Sequence, residues 1–96
     1  MTIGKGSQYS ITIRVEIQYK LGMLAKVLTA LSSAGGDVGA IDIVSVSPQK
    51  VVRDITVNAR DEAHEEVLVD SLKSLEGVQV VNVSDRVFLM HLGGKI

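Results

Sequence analysis

Cysteine is absent from the 96 residues, which excludes a disulfide scaffold, a C-x-x-C redox pair and a thiolate metal site. Tryptophan is absent too, and aromatics make up only 3% of the chain. Base-stacking surfaces for nucleic acid need aromatic side chains on central strands, and few are available. The formal net charge of −1 supplies no global field toward nucleic acid or an anionic membrane. No apolar run reaches the length of a membrane span, and the first ten residues lack the apolar core of a signal peptide. Nucleic acid and membrane are therefore not expected partners, and a reducing cytoplasm is the expected location. Catalytic groups are scarce. The two histidines, His64 and His91, have no H-x-x-x-H or H-x-E spacing, and no serine sits in a G-x-S-x-G setting. His64 reads as a surface or boundary residue in the first turn of a helix. No metal and no cofactor are expected.

What is present is hydrophobic residues at 46%, with a single proline, which suits one folded two-layer domain. The chain is organised around the stretch KLGMLAKVLTALSSAGGDVGA, residues 20–40. Leu24, Val27, Leu28 and Leu31 fall at i, i+3, i+4 and i+7, which predicts an amphipathic helix over about 23–34. Gly22 supplies backbone freedom where a strand turns straight into that helix, and Gly35 or Gly36 can close it in the left-handed conformation. The first N–H groups of such a helix have no partner within it. They form a place for a small anion such as a carboxylate, or are simply capped by water.

Before this unit, residues 1–8 read as a polar, glycine-rich arm. Residues 9–18 alternate, with Tyr9, Ile11, Ile13, Val15 and Ile17 on one face and Ser10, Thr12, Arg14, Glu16 and Gln18 on the other. This is a strand with one buried and one polar face, pointing to an antiparallel sheet with helices on one side. A second strand follows over 37–47, with a bulge expected near Ile43 and Val44 where the alternation slips. Ser47-Pro48-Gln49-Lys50 is a turn, and a third strand over 51–59 directs Ile55, Val57 and Ala59 inward. Asp61 N-caps a second helix whose buried stripe is Leu68, Leu72 and Leu75. Residues 78–83 form a fourth strand, and Val87 to Met90 a further apolar extended run. The order is β-α-β-β-α-β, an α+β fold in which a four-stranded antiparallel sheet carries two helices on one face, the ferredoxin-like arrangement.

The residues now support a comparison with a known family. Y-K-L-G-M-L-A-K-V-L, from Tyr19 to Leu28, and A-G-G-D-V, from Ala34 to Val38, resemble the ACT domain, a small regulatory domain that in many cases binds amino acids. That family's pattern is D-x-P-G-x-L in the first turn and G-x-N-I after the first helix. Gly22 and Leu24 match it, and Gly35, Asp37 and Val38 match conservatively. Tyr19 stands in place of the motif's Asp, and Leu21 in place of its Pro. The resemblance implies a homo-oligomer, a dimer or larger, holding a small-molecule effector, an amino acid in the first instance. The implied ligand-binding residues are Lys20, Leu21, Gly22, Met23, Leu24, Asp37 and Val38. Lys20 would attract a carboxylate beside the amides of Met23 and Leu24, Leu21 and Met23 would shape the loop, and Asp37 could offer a carboxylate in turn.

The tail V-S-D-R-V-F-L-M-H-L-G-G-K-I, residues 83–96, resembles the junction in bacterial malic enzymes where an N-terminal ACT domain leads into the NAD(P)-dependent catalytic part. It implies an ACT domain over 9–90, a junction over 91–96 and a malic enzyme catalytic part as partner, with this chain the non-catalytic regulatory piece. Two other readings stay open: a ligand-free dimerisation module using the polar sheet face or a strand edge, and a small acylphosphatase-like enzyme resting on Lys20 and Asn58.

Overall fold

Alternation of apolar and polar residues builds the centre of the sheet. The computed structural model describes residues 9–85. In it β1 (Tyr9–Gln18) is a central strand, flanked by β3 (Lys50–Ala59) and β4 (Val78–Asp85), with β2 (Asp37–Val46) outside β3. The strand order is β2-β3-β1-β4, and every neighbouring pair is antiparallel. Helices α1 (Met23–Ser33) and α2 (Glu62–Lys73) complete the β-α-β-β-α-β order. Together with the sheet topology, this is the expected ferredoxin-like fold.

Both helices lie on the sheet face that carries Ile11, Ile13, Val15 and Ile17 of β1 and Ile55, Val57 and Ala59 of β3. These side chains form one core with Met23, Val27 and Leu31 of α1 and Leu68 and Leu72 of α2. The buried α1 stripe is thus centred on Met23, Val27 and Leu31. Leu24 and Leu28, placed on the buried face by the sequence pattern, are only half-buried at its edge. The i, i+4 spacing of the stripe is retained, but it is rotated toward Met23.

Irregularities in the edge strands keep apolar residues facing the core. Ile43 pairs with Arg53 and Ser45 with Val52, so Val44 is an extra residue at the anticipated bulge. A second shift separates the Val38–Val57 and Ile41–Ile55 pairs at Gly39 and Ala40. On β4, Arg14 faces Asn82 while Val15 faces Val80, which leaves Val81 unpaired. Without that bulge Val83 would point away from the core; with it Val78, Val80 and Val83 all pack against the core.

The adjacent glycines after α1 serve different needs. Gly35 has φ +85° and closes the helix, its N–H donating to Ser32 O at 3.0 Å while the Gly36 N–H donates to Leu31 O at 2.8 Å. A Cβ on Gly36 would stand 2.7 Å from Leu68 Cδ2 and 2.8 Å from Val57 Cγ1, so close packing requires glycine there. Helix α1 ends one residue earlier than expected, with Ala34 as its C-cap. Strand β4 runs two residues further than expected, to Asp85. The anticipated arm over 1–8, the apolar run from Val87 to Met90, and the tail over 91–96 lie outside the described residues.

Candidate functional site

The turn between β1 and α1 is built by backbone geometry. After Gln18 the chain is tied to its neighbours by Gln18 N–H to Gly77 O at 2.9 Å and Tyr19 N–H to Gln49 O at 2.8 Å. Gly22 then takes φ +86°, a left-handed conformation that costs a residue with a Cβ about 1–2 kcal/mol. A Cβ there would meet nothing within 4 Å, so glycine is required by the dihedral and not by crowding. Gly22 is the N-cap of α1, and no side chain caps the helix. The Met23 N–H donates to Lys20 O at 3.2 Å, and the Lys26 N–H to Gly22 O at 3.2 Å. The Met23 amide, expected to face a ligand, is therefore engaged in the turn. In the first turn of α1, the N–H groups of Leu24 and Ala25 have no backbone or side-chain acceptor among the described residues.

A cleft of about 240 Å³ opens beside this turn. Its walls come from the end of β1 (Ile17, Gln18), the loop and first helical residues (Tyr19 to Leu24), and the start of β3 (Val51, Arg53). Lys20 and Leu21 stand in solvent, Leu21 fully exposed at 100%, while the Met23 side chain is 4% exposed and belongs to the core. The structure thus gathers Lys20, Leu21, Gly22, Met23 and Leu24 around one cleft. Asp37 and Val38 are elsewhere. They pair with Asn58 and Val57, at the end of the sheet opposite the Gln18–Lys50 pair from which the loop springs. Within one chain the two halves of the expected ligand set do not meet.

Arg53 was not anticipated. Extending the Ile55, Val57, Ala59 alternation back by one step would have placed it on the helix-bearing face, beside the cleft. It is half-buried there, next in its row to the buried Val51 and Ile55.

The other sheet face is polar, and both of its strand cations are paired with carboxylates. The guanidinium of Arg14 on β1 donates two hydrogen bonds to Asp54 on β3, Nε to Oδ1 at 2.8 Å and Nη2 to Oδ2 at 2.9 Å. The hydrogen bond from Arg14 holds the Asp54 carboxyl below the usual range, against a smaller opposing effect of desolvation, and the Arg14 charge adds to the lowering. Reciprocally, the hydrogen bond and charge of Asp54 raise Arg14. Lys50 Nζ donates to Glu16 Oε1 at 3.2 Å, and Ser10 Oγ to Asn58 Oδ1 at 2.6 Å. Asn58 is thereby committed to the polar face at the Asp37 end, far from Lys20. The pair required by an acylphosphatase-like reading does not form a site.

His64 corrects the sequence reading. It is 3% exposed, on the buried stripe with Leu68 and Leu72 at i+4 and i+8. Its Nδ1 accepts from the Arg60 N–H at 3.0 Å and its Nε2 donates to Ala34 O at 2.8 Å, an assignment that follows from Arg60 offering only a donor and Ala34 O only an acceptor. The ring joins the end of α1 to the start of α2. The spacing to Leu68 was the available signal; the polar neighbours Glu65 and Glu66 obscured it.

Among the described residues no helix is long and apolar enough to cross a membrane. Known proteins resemble the chain at two levels. Over its full length it is 43% identical to an NAD-dependent malic enzyme of Geobacillus stearothermophilus, and over 86 residues it is 36% identical to NAD-dependent malic enzyme 1 of Bacillus subtilis strain 168. The chain spans about 20% of the length of each. Its fold matches the ACT domain of the GTP pyrophosphokinase of Chlorobium tepidum with a TM-score of 0.64 and 17% identity, covering 81% of this chain and 97% of that one. It also matches the ligand-free regulatory subunit of aspartate kinase from Thermus thermophilus, with a TM-score of 0.53 and 24% identity, over 80% of this chain and 50% of that one. The sequence model of the ACT domain matches residues 5–82, and the chain accordingly belongs to the ACT domain family, a regulatory domain and not a catalytic one.

Proposed function

We propose that this chain is the effector-binding regulatory domain of a cytoplasmic malic enzyme, one that oxidatively decarboxylates malate with NAD. The observation that carries the reading is the cleft at the Gly22 turn, where an uncapped helix start meets Lys20. Two free N–H groups and a cation suit a small carboxylate-bearing metabolite. Amino acids are the class that the family resemblance implies. The effector seats against residues 20–24 and bridges to Asp37 and Val38 on β2 of a second copy, which accounts for a ligand set divided between the two ends of one chain. Binding favours one pairing of domains, and the catalytic part feels that bias through the residues after β4. By linkage, malate binding and effector binding then influence each other's equilibria wherever both act on the same two states.

A second feature supports pairing itself. On the edge strand β2, Ile43, Val44 and Val46 remain 58%, 43% and 56% exposed. An apolar edge of this kind is a template for another strand unless it is covered. A ligand-independent dimer would fit this feature equally well, so the deciding experiment concerns the ligand. A thermal-shift screen of the chain against amino acids and malate-related organic acids is expected to give a hit. Ligand at about a hundred times its Kd adds about 2.7 kcal/mol. Gly22→Val is expected to abolish the shift while retaining the fold. A flat screen would leave the assembly module as the function, and normal binding by the variant would move the site elsewhere.

A further inference from the structure

The three cations of the described strands are Arg14, Lys50 and Arg53. Two of them stand on the polar face, each against a carboxylate, Arg14 with Asp54 at 2.8 Å and Lys50 with Glu16 at 3.2 Å. Arg53 stands on the opposite face, level with Val15 on β1 and Ile43 on β2, and has no ion-pair or hydrogen-bond partner for its side chain among the described residues. A half-buried guanidinium in an apolar row is costly to leave uncompensated, and its planar fork is suited to holding a carboxylate through two hydrogen bonds. It lines the same cleft as Lys20.

The cleft contains two cations and no Asp or Glu. Asp37, the carboxylate offered by the sequence, is at the far end of the sheet in the same chain. An ammonium group entering the cleft would meet two cations, opposed by a single carboxylate when Asp37 of a second copy closes over the effector, whereas each carboxylate of a diacid would meet a cation. At about 240 Å³ the space is below the ~300–1,000 Å³ of a drug-sized pocket and suits a short acid. We infer that the effector of this cleft is a small organic di- or tricarboxylate without an amine, held by Arg53 on one carboxylate and Lys20 on another. This rests on the cleft being the effector site and assigns that site a ligand class and a second anchoring residue.

Titration calorimetry of the 96-residue chain with succinate, malate and aspartate tests it, because the three share one four-carbon diacid frame and differ in one substituent. Succinate and malate are expected to bind at least tenfold more tightly than aspartate. Arg53→Gln is expected to weaken succinate at least tenfold, with Arg53→Lys intermediate and circular dichroism unchanged. Lys20→Gln, in an exposed loop where folding is not at stake, is expected to weaken it as well. Aspartate binding as tightly as succinate, or a succinate Kd within twofold of the parent in Arg53→Gln, overturns the inference. If aspartate or another amino acid binds at least as tightly as succinate and Gly22→Val abolishes that binding, the effector site stands and the ligand class falls. If no acid or amino acid binds, or binding survives in Gly22→Val, both fall together.

Discussion

Gly22 and Gly36 are both required, but by different forces, and substitution separates them. Gly22→Ala adds a methyl group in open space at φ +86°, so only backbone strain is incurred, about 1–2 kcal/mol. Gly36→Ala forces a methyl group against Leu68, Val57 and Leu31 O, an overpacking that costs about 1–3 kcal/mol and disturbs the contact between the two helices and the sheet. Urea unfolding should show both losses, and methyl NMR signals from the core should change only for Gly36→Ala. His64 is the third such residue. Replacing it with Ala strands the Arg60 N–H and the Ala34 carbonyl, and the expected loss is about 2–3 kcal/mol in the same assay. The Asp54 carboxyl titrates lower in the folded chain than in the unfolded one, because Arg14 hydrogen-bonds its ionised form. Its stabilising contribution is therefore complete above the unfolded carboxyl pKa of about 3.9 and is lost as pH falls through the lower folded value. Urea midpoints measured from pH 6 down to pH 2 should fall further for the parent than for Asp54→Asn, and the difference should shrink in high salt, since the pair is partly exposed.

At the scale of elements, the sequence was most legible where the period is strict. Ile11, Ile13, Val15 and Ile17 specify β1 without ambiguity, and all four are buried. The slip at Ile43 and Val44 marked a bulge because two apolar residues stand side by side. The same signal at Val80 and Val81 went unread, since a run of valines also suits a strand buried on both faces. The helical stripe was misjudged by one step because Leu24 and Leu28 are as apolar as Met23 and Val27, and only packing against the sheet decides among them. Arg53 and His64 were missed for one shared reason: each is a polar residue in an apolar row, where residue type and periodicity disagree and periodicity prevails. The Val81 bulge makes a sharp prediction. Val81→Asn, at an exposed unpaired position, should change stability by no more than about 0.5 kcal/mol. Val83→Asn, two residues later and packed on the core, should cost about 1–3 kcal/mol through an amide deprived of water. Equal effects at the two sites would remove the bulge from the account.

At the scale of the whole molecule, the fold assigns different chemistry to its two faces and its two ends. One face is covered by helices and forms the core; the other is polar, and its cations Arg14 and Lys50 are each paired with a carboxylate. One end of the sheet carries the Gly22 turn, the uncapped start of α1 and Arg53; the other carries Asp37 and Asn58. In the function proposed above, that polarity lets a ligand at one end change which pairing of domains is favoured and so bias an attached enzyme. The most direct test of this account is residue-resolved amide NMR of the chain during parallel titrations with malate and aspartate. The account predicts saturable shifts, in at least one titration, concentrated at residues 20–25 and at Arg53. Shifts centred elsewhere, or none in either titration, would contradict the claim that the Gly22 cleft is where this domain senses its ligand.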